Sequence, residues 1–216
     1  MAVSTKGLVI YMSKTATTPT SLTPTGITAA KPSVITVSST TGIANGDVAY
    51  VSNTGIKALD GKYFTVGSLA SGSITLVGSN NTGGATTIGA GAKIEVYKAS
   101  DMCNLCLSSI AFSEESGQTI SVGTFCDPSA SIATPPTTAG TVTMSGFVDK
   151  TDPCYSELLE AVSDGAPRVI SIELPQGNGH IVAPITLSSI SWDLPIQGAV
   201  GFTASGALGS KPHHVF

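Results

Sequence analysis

Any chemistry in this 216-residue chain would have to start from its four cysteines, its three histidines or its paired carboxylates. Cys103-Asn104-Leu105-Cys106 is the sharpest spacing, because C-x-x-C is half of a tetrahedral zinc site and also the core of a dithiol redox motif. Zinc needs a second pair of ligands, and Cys126 and Cys154 stand singly and far apart. His180, His213 and His214 could complete such a site only by accident of folding. A thioredoxin-like thiol needs a helix to cap, whereas Leu107 to Phe112 continues as strand-like sequence. Cys103 and Cys106 are therefore read as unliganded, semi-buried thiols. Neither a metal nor a cofactor is expected.

The other polar groups give no site. Asp149 and Asp152 flank a helix start and could attend a divalent ion, but a helix cap beside a solvated loop is the simpler reading. Glu114 and Glu115 sit in a turn, with no apolar shell to tune a carboxyl pKa. The glycine-rich stretch from Asn80 to Gly91 lacks a GK[ST] ending and opens no helix, so it is no phosphate cradle. There is no G-x-S-x-G. His213 and His214 lie in what reads as a loose tail, and Trp192 is expected in the core between the last strands. No enzyme is expected.

The framework that must position these residues is β-rich. Ser and Thr fill 55 of 216 positions, with 24 Gly and 12 Pro, a composition of strands and turns with little helix former. Only 11% of residues are charged, fewer than a freely diffusing monomer uses to stay soluble, and composition fits equally a surface spent on other subunits and an ordinary Ser/Thr-coated sandwich. Residues 1–98 carry seven Lys against three acids, and residues 99–216 carry three bases against eleven acids, so +4 and −8 sum to the net −4. This distribution argues against a duplex-gripping protein, which needs clustered Lys and Arg. No apolar stretch reaches membrane-spanning length and no signal peptide is evident, so the expectation is assembly in a reducing cytoplasm with no membrane binding.

The chain is organised around Thr137 to Pro175. Thr141 to Ser145 alternate polar and apolar, the mark of a half-buried strand. Asp152-Pro153 then supplies an N-cap and a first helical proline, Leu158, Leu159 and Val162 form a stripe over Pro153–Ser163, and Asp164-Gly165 stops the helix. Arg168 to Leu174 alternates again. The fold class expected is mostly β: a sandwich or barrel with one short helix, plus a small all-β domain. The larger domain is discontinuous, 1–30 and 99–216, and the smaller one, 31–98, is inserted into it at an exposed loop. Lys14 to Thr28 has no period and reads as a long extended loop, either an arm laid onto a neighbouring subunit or a hinge to another domain. Its Lys14, Pro19, Leu22, Pro24 and Ile27 are candidates for contact with a neighbouring subunit.

Residues 101–210 resemble the tail tube proteins of long, non-contractile-tailed bacteriophages. The resemblance is carried by Gly117-Gln118-Thr119-Ile120-Ser121-Val122-Gly123-Thr124-Phe125-Cys126-Asp127, by Ala139 to Asp149 (AGTVTMSGFVD), by the helix, and by the hairpin-like Ile185–Gly206. Residues 31–98 resemble a small module found in varied virion proteins, through Gly46-Asp47-Val48, Leu59 to Val66 and Ile74-Thr75-Leu76. The resemblance implies a virion structural protein stacked in rings, hexameric in the family, whose inner sheets join into a conduit for DNA during ejection. It implies as partners further copies of the chain, a tape measure protein, a tail terminator and tail tip or baseplate proteins. An acidic lumen is expected, with the inserted module outside the tube.

On that reading Val142, Met144, Leu158, Ile170, Ile172 and Trp192 are core. Thr141, Thr143, Ser171, Glu173, Ser189, Ser191 and Asp193 lie on the opposite strand faces and are the lumen-facing candidates. Two other functions stay open: a decoration or tail-terminator protein of the virion, and a carbohydrate-binding or adhesin-type β-domain using Tyr50, Tyr63 and Tyr97.

Overall fold

Alternating apolar residues and frequent turn formers build strands throughout the computed structural model, which describes residues 8–15, 17–113, 119–121, 131–133, 140–149, 151–175 and 179–215. The first half holds β1 (Val9–Ser13), β2 (Thr20–Leu22), β3 (Pro24–Ile27), β4 (Ser33–Val37), β5 (Val48–Ser52), β6 (Lys62–Ala70), β7 (Ser73–Val77) and β8 (Lys93–Tyr97). The second half holds β9 (Met102–Asn104), β10 (Leu107–Ser113), β11 (Thr119–Ser121), β12 (Ser131–Ala133), β13 (Thr141–Phe147), α1 (Pro153–Asp164), β14 (Arg168–Glu173), β15 (His180–Asp193), β16 (Gly201–Leu208) and β17 (His213–Val215). Most of the resemblance-bearing segment 117–127 lies outside the described residues. Its Thr119–Ser121 pairs only with Ser131–Ala133, in a two-stranded ribbon.

The larger sheet runs β10-β13-β16-β15-β14-β1-β9, with β17 added to β15. Its first and last strands, β10 and β9, are joined by Leu105 and Cys106 alone. That link spans at most about 11 Å, so the sheet has to curl until its two ends approach. The core lies inside the curl. Met12, Met144, Ile170, Ile185 and Leu187 are buried there around Leu158, the centre of the inner face of α1. The helix forms where the local signals put it: the Asp152 carboxylate accepts from the Cys154 amide at 2.8 Å, Pro153 opens the first turn, and Gly165 leaves it at φ 60°. Val142, Met144, Leu158, Ile170 and Ile172 are buried as expected. Trp192 is not. It stands at the far end of β15, at the rim of a hollow beside α1, half-exposed, and its indole N–H donates to the hydroxyl of Tyr155 on the helix at 3.0 Å.

The smaller sheet runs β2-β8-β5-β6-β7-β4-β3 around its own core of Ile35, Leu59, Phe64, Ile74, Leu76 and Ile94. It begins at Thr20, not at Lys31, and this corrects the expected arm. Thr20–Leu22 pairs with β8 and Pro24–Ile27 with β4, burying Leu22, Pro24 and Ile27 in the chain's own core. Backbone pairing to distant strands offsets the poor local propensity of a Thr/Pro stretch. Lys14 stays exposed and Pro19 half-buried ahead of β2.

The two sheets meet face to face. Val48 and Tyr63 of the smaller sheet pack on Met102, Val169 and Val182, with Tyr11, Tyr50 and Tyr97 around them. Asp47, buried, ties the junction by accepting from the amides of Ala44 and Ala99 at 2.8 and 2.9 Å. The tyrosines that an adhesin reading would need on a rim are therefore packed at this junction, with Tyr63 buried and its ring 4.7 Å from that of Tyr50.

The C-terminal tail is not loose. Its β17 pairs with His180–Val182, and His213 packs edge-on to Phe64, strapping the sheets together. The His213 Nε2 is buried without a hydrogen-bond partner, and burial, then the nearby Lys62 and His214, hold its pKa below the ordinary 6.5. Folding thus favours the neutral ring. The stability this contributes is fully present above about pH 6.5 and is lost as pH falls through the lower folded value. We expect the melting temperature to drop between pH 7.5 and 5.5 more steeply in the wild type than in His213→Phe, measured by thermal denaturation at both pH values.

Candidate assembly surface

β10, β13, β16 and the second half of β15 form a four-stranded layer over the core. Along each strand the inward residues are apolar (Ile110 and Phe112, Val142 and Met144, Phe202 and Ala204, Leu187 and Ile190). The outward residues follow from the register: Thr143 opposes Ser205, which opposes Ser189, and Ser145 opposes Thr203, which opposes Ser191. Ser109, Ala111 and Ser113 extend this face onto β10. Hydroxyls bond along it, Ser145 to Thr203 at 3.1 Å and Ser189 to Ser205 at 2.7 Å. The layer carries no Lys or Arg, and Asp193 is its one carboxylate.

Five lumen-facing candidates come together here: Thr141, Thr143, Ser189, Ser191 and Asp193, all exposed. Ser171 and Glu173 do not join them. Ser171 is buried where the smaller sheet covers β14, and Glu173 pairs with His180 beside a cavity of about 240 Å³ between the sheets. The period placed both on the outward face of their strand, but the curl turns that part of the sheet away from the layer. The layer is faced by hydroxyls, and the acidic residues of this half of the chain lie largely elsewhere. Glu157, Glu160 and Asp164 sit on α1, and Asp149 is held below the usual carboxylate range by hydrogen bonds from Thr151.

The layer is an internal repeat. Leu107-Ser108-Ser109-Ile110 on β10 recurs as Leu187-Ser188-Ser189-Ile190 on β15, and Thr143-Met144-Ser145-Gly146 on β13 recurs as Thr203-Ala204-Ser205-Gly206 on β16. The pairing repeats as well. Each L-S-S stretch slips register at its middle Ser, with the Leu opposite the Gly. The Ser108 and Ser188 hydroxyls donate to the Ser145 and Ser205 carbonyls at 3.0 and 3.3 Å. Each Gly is where the bulged backbone comes close: a Cβ on Gly206 would lie 2.1 Å from the Thr186 carbonyl oxygen, and one on Gly146 3.1 Å from that of Cys106. Because Thr143 faces Ser205 while Ser145 faces Thr203, the two hairpins are related by a pseudo-two-fold axis normal to the layer.

Both outer edges of the layer are open. No described strand pairs with the far side of β10, and β14 takes only His180–Ile185, leaving Thr186–Asp193 free on that side. Neither edge strand carries the Lys or Pro that protects natural sheet edges, and among the described residues no strand covers either edge. A groove of about 770 Å³ runs along β10, lined by Leu8, Ile10, Leu105, Leu107, Ile110 and Phe147.

The three described cysteines do not gather at one point, and Cys126 lies outside the described residues. Cys103 and Cys154 are buried in the core while Cys106 is exposed, so the C-x-x-C side chains diverge. Burial raises Cys103 and pushes Cys154 up to about 12, which keeps both as thiols. Among the described residues no three His, Cys, Asp or Glu gather to hold a metal, and no helix is long and apolar enough to cross a membrane.

No family model and no curated protein matches this chain. Solved structures do. One chain, from a structure described as "Tail of empty GTA particle computed with helical refinement, C6 symmetry", is similar over 55% of this chain and 89% of its own, at 12% identity and a TM-score of 0.44. A likeness of that degree assigns no function.

Proposed function

We propose that this chain is a structural virion protein that self-assembles, edge to edge, into stacked rings around a hollow bore, as the tail tube of a long-tailed bacteriophage. The carrying observation is the four-stranded hydroxyl-faced layer with an edge on each side that no described strand pairs. β10 and β15 run in opposite directions, since successive strands of the layer are antiparallel. Joining β10 of one copy to β15 of the next therefore continues the alternation without a break. A head-to-tail contact of this kind closes into a ring when its rotation closes. The smaller sheet, packed on the opposite part of the curl, falls outside.

The hydroxyl face suits a conduit. Duplex DNA is held by cations that displace its counterions, and this face offers none. On this reading the cargo is phage DNA in passage. The ring is hexameric as the resemblance implies, and the contacts at the tube's ends belong to tape measure, terminator and tip proteins. The protein assembles in the host cytoplasm and resides in the virion.

The test is assembly. Sedimentation and negative-stain electron microscopy of the untagged protein should show rings or tubes of uniform bore, formed with rising concentration. Ala111→Lys together with Ser191→Lys, charging both edges, should leave a folded monomer with an unchanged melting temperature. Monomers or trimers at every concentration, or tubes from the charged variant, would refute edge-to-edge assembly.

A further inference from the structure

Two of the described cysteines meet in the larger core. Cys103 on β9 pairs across the sheet with Met12, and Cys154 stands in the first turn of α1. Both are buried, and their thiols share a hydrogen bond. That bond lowers the pKa of Cys103 and raises that of Cys154, so the Cys154 S–H donates and the Cys103 sulfur accepts. Cys106 is exposed and takes no part.

The pair sits at a joint of the fold. β9 is the last strand of the larger sheet and pairs only with β1, while α1 packs mainly on β15 and less on β9. A bond between Cys103 and Cys154 would fasten the start of the helix to the end of the sheet. Thiols already in contact need only a short approach to reach the sulfur separation of a disulfide, about 2.05 Å.

We infer that Cys103 and Cys154 are a latent disulfide site, closed by a peroxide-class oxidant, that locks α1 to β9. The Cys103 sulfur attacks one oxygen of hydrogen peroxide, the O–O bond breaks, and one water leaves behind a sulfenic acid. The Cys154 sulfur then attacks the Cys103 sulfur, the S–O bond breaks, and a second water carries off the hydroxyl and the Cys154 proton. Two thiols thus give up two electrons and two protons, and one peroxide becomes two waters.

The surroundings keep the site reduced until such an oxidant arrives. A helix start can stabilise a thiolate, but the Cys154 amide already donates to the Asp152 carboxylate. Burial first, and then the negative charge of Asp152 for both thiols and of Glu157 for Cys103, oppose ionisation. On the virion reading the lock closes after release from a reducing cell. The inference itself needs neither ring nor tube.

The test uses the full chain, reduced, freed of reductant and incubated with hydrogen peroxide. Peptide mapping by mass spectrometry without reduction should find Cys103 joined to Cys154, two hydrogens lighter than the separate peptides. The melting temperature should rise by roughly 5–10 °C, as expected for closing a loop of about 50 residues against some strain, and return with dithiothreitol. Cys106→Ser should behave as the wild type, and Cys154→Ser should show neither the cross-link nor the rise. The wild-type map decides even where Cys154→Ser folds poorly. Pairing of Cys103 with Cys106 or Cys126 instead would overturn the inference. So would oxidation confined to Cys106, with Cys103 and Cys154 still open to alkylation after unfolding, or a cross-link that leaves the melting temperature unchanged or lowered.

Discussion

Gly206→Ala should cost the chain about 3 kcal/mol or more, at or beyond the top of the ordinary range for an added methyl in a packed interior. The new Cβ would sit 2.1 Å from the Thr186 carbonyl oxygen and 2.8 Å from the Leu187 Cα, both backbone atoms of the bulged strand, so no side-chain rotation relieves it. Its repeat-mate Gly146→Ala should cost less, because its closest contact is the movable ring of Phe202 at 2.8 Å. Urea denaturation would show the order directly, with the midpoint of Gly206→Ala the lowest of the three proteins. Equal midpoints for the two variants would mean that the bulges do not hold the layer as described.

The second large effect is on nucleic acid. Thr141→Lys, Thr143→Lys and Thr203→Lys, all on the inner strands β13 and β16 and away from both open edges, place three cations on a face that has none. If the face lines a bore, tubes of this variant should retain duplex DNA that wild-type tubes release. Three phosphate contacts imply a log–log salt slope of about −2.7, so affinity should fall roughly 40-fold between 50 and 200 mM salt. Fluorescence anisotropy of a labelled duplex against both assemblies measures this. Wild-type binding as tight and as salt-dependent as the variant's would remove the argument that a neutral face lets DNA pass.

Legibility in the sequence followed the range of the forces involved. The helix needed only Asp152, Pro153, an apolar stripe and Gly165, all local, and it ends within one residue of the expected place. The alternation of Thr141 to Ser145 likewise gave the strand and its two faces. Thr20–Leu22 and Pro24–Ile27 were misread because their partners, Ile94–Val96 and Ile35–Val37, supply the order that a Thr/Pro stretch lacks by itself. Trp192 and Ser171 failed for a related reason: period fixes which face a residue takes, but not how far along that face the core extends or whether a second sheet covers it. The L-S-S-I and T-x-S-G repeats were in plain view, yet the connections between them differ by twenty residues, and no single period aligns them. Their meaning came from the paired bulges.

The most direct test is a cryo-electron microscopy reconstruction of the assembled protein, resolved to individual strands. The expected map has β10 of each subunit hydrogen-bonded to Thr186–Asp193 of the next, Thr143, Ser189 and Ser205 facing the bore, and the sheet of residues 20–97 on the outer wall. A map with those hydroxyls on the outside, or with the 20–97 sheet lining the channel, would contradict the proposed assembly outright.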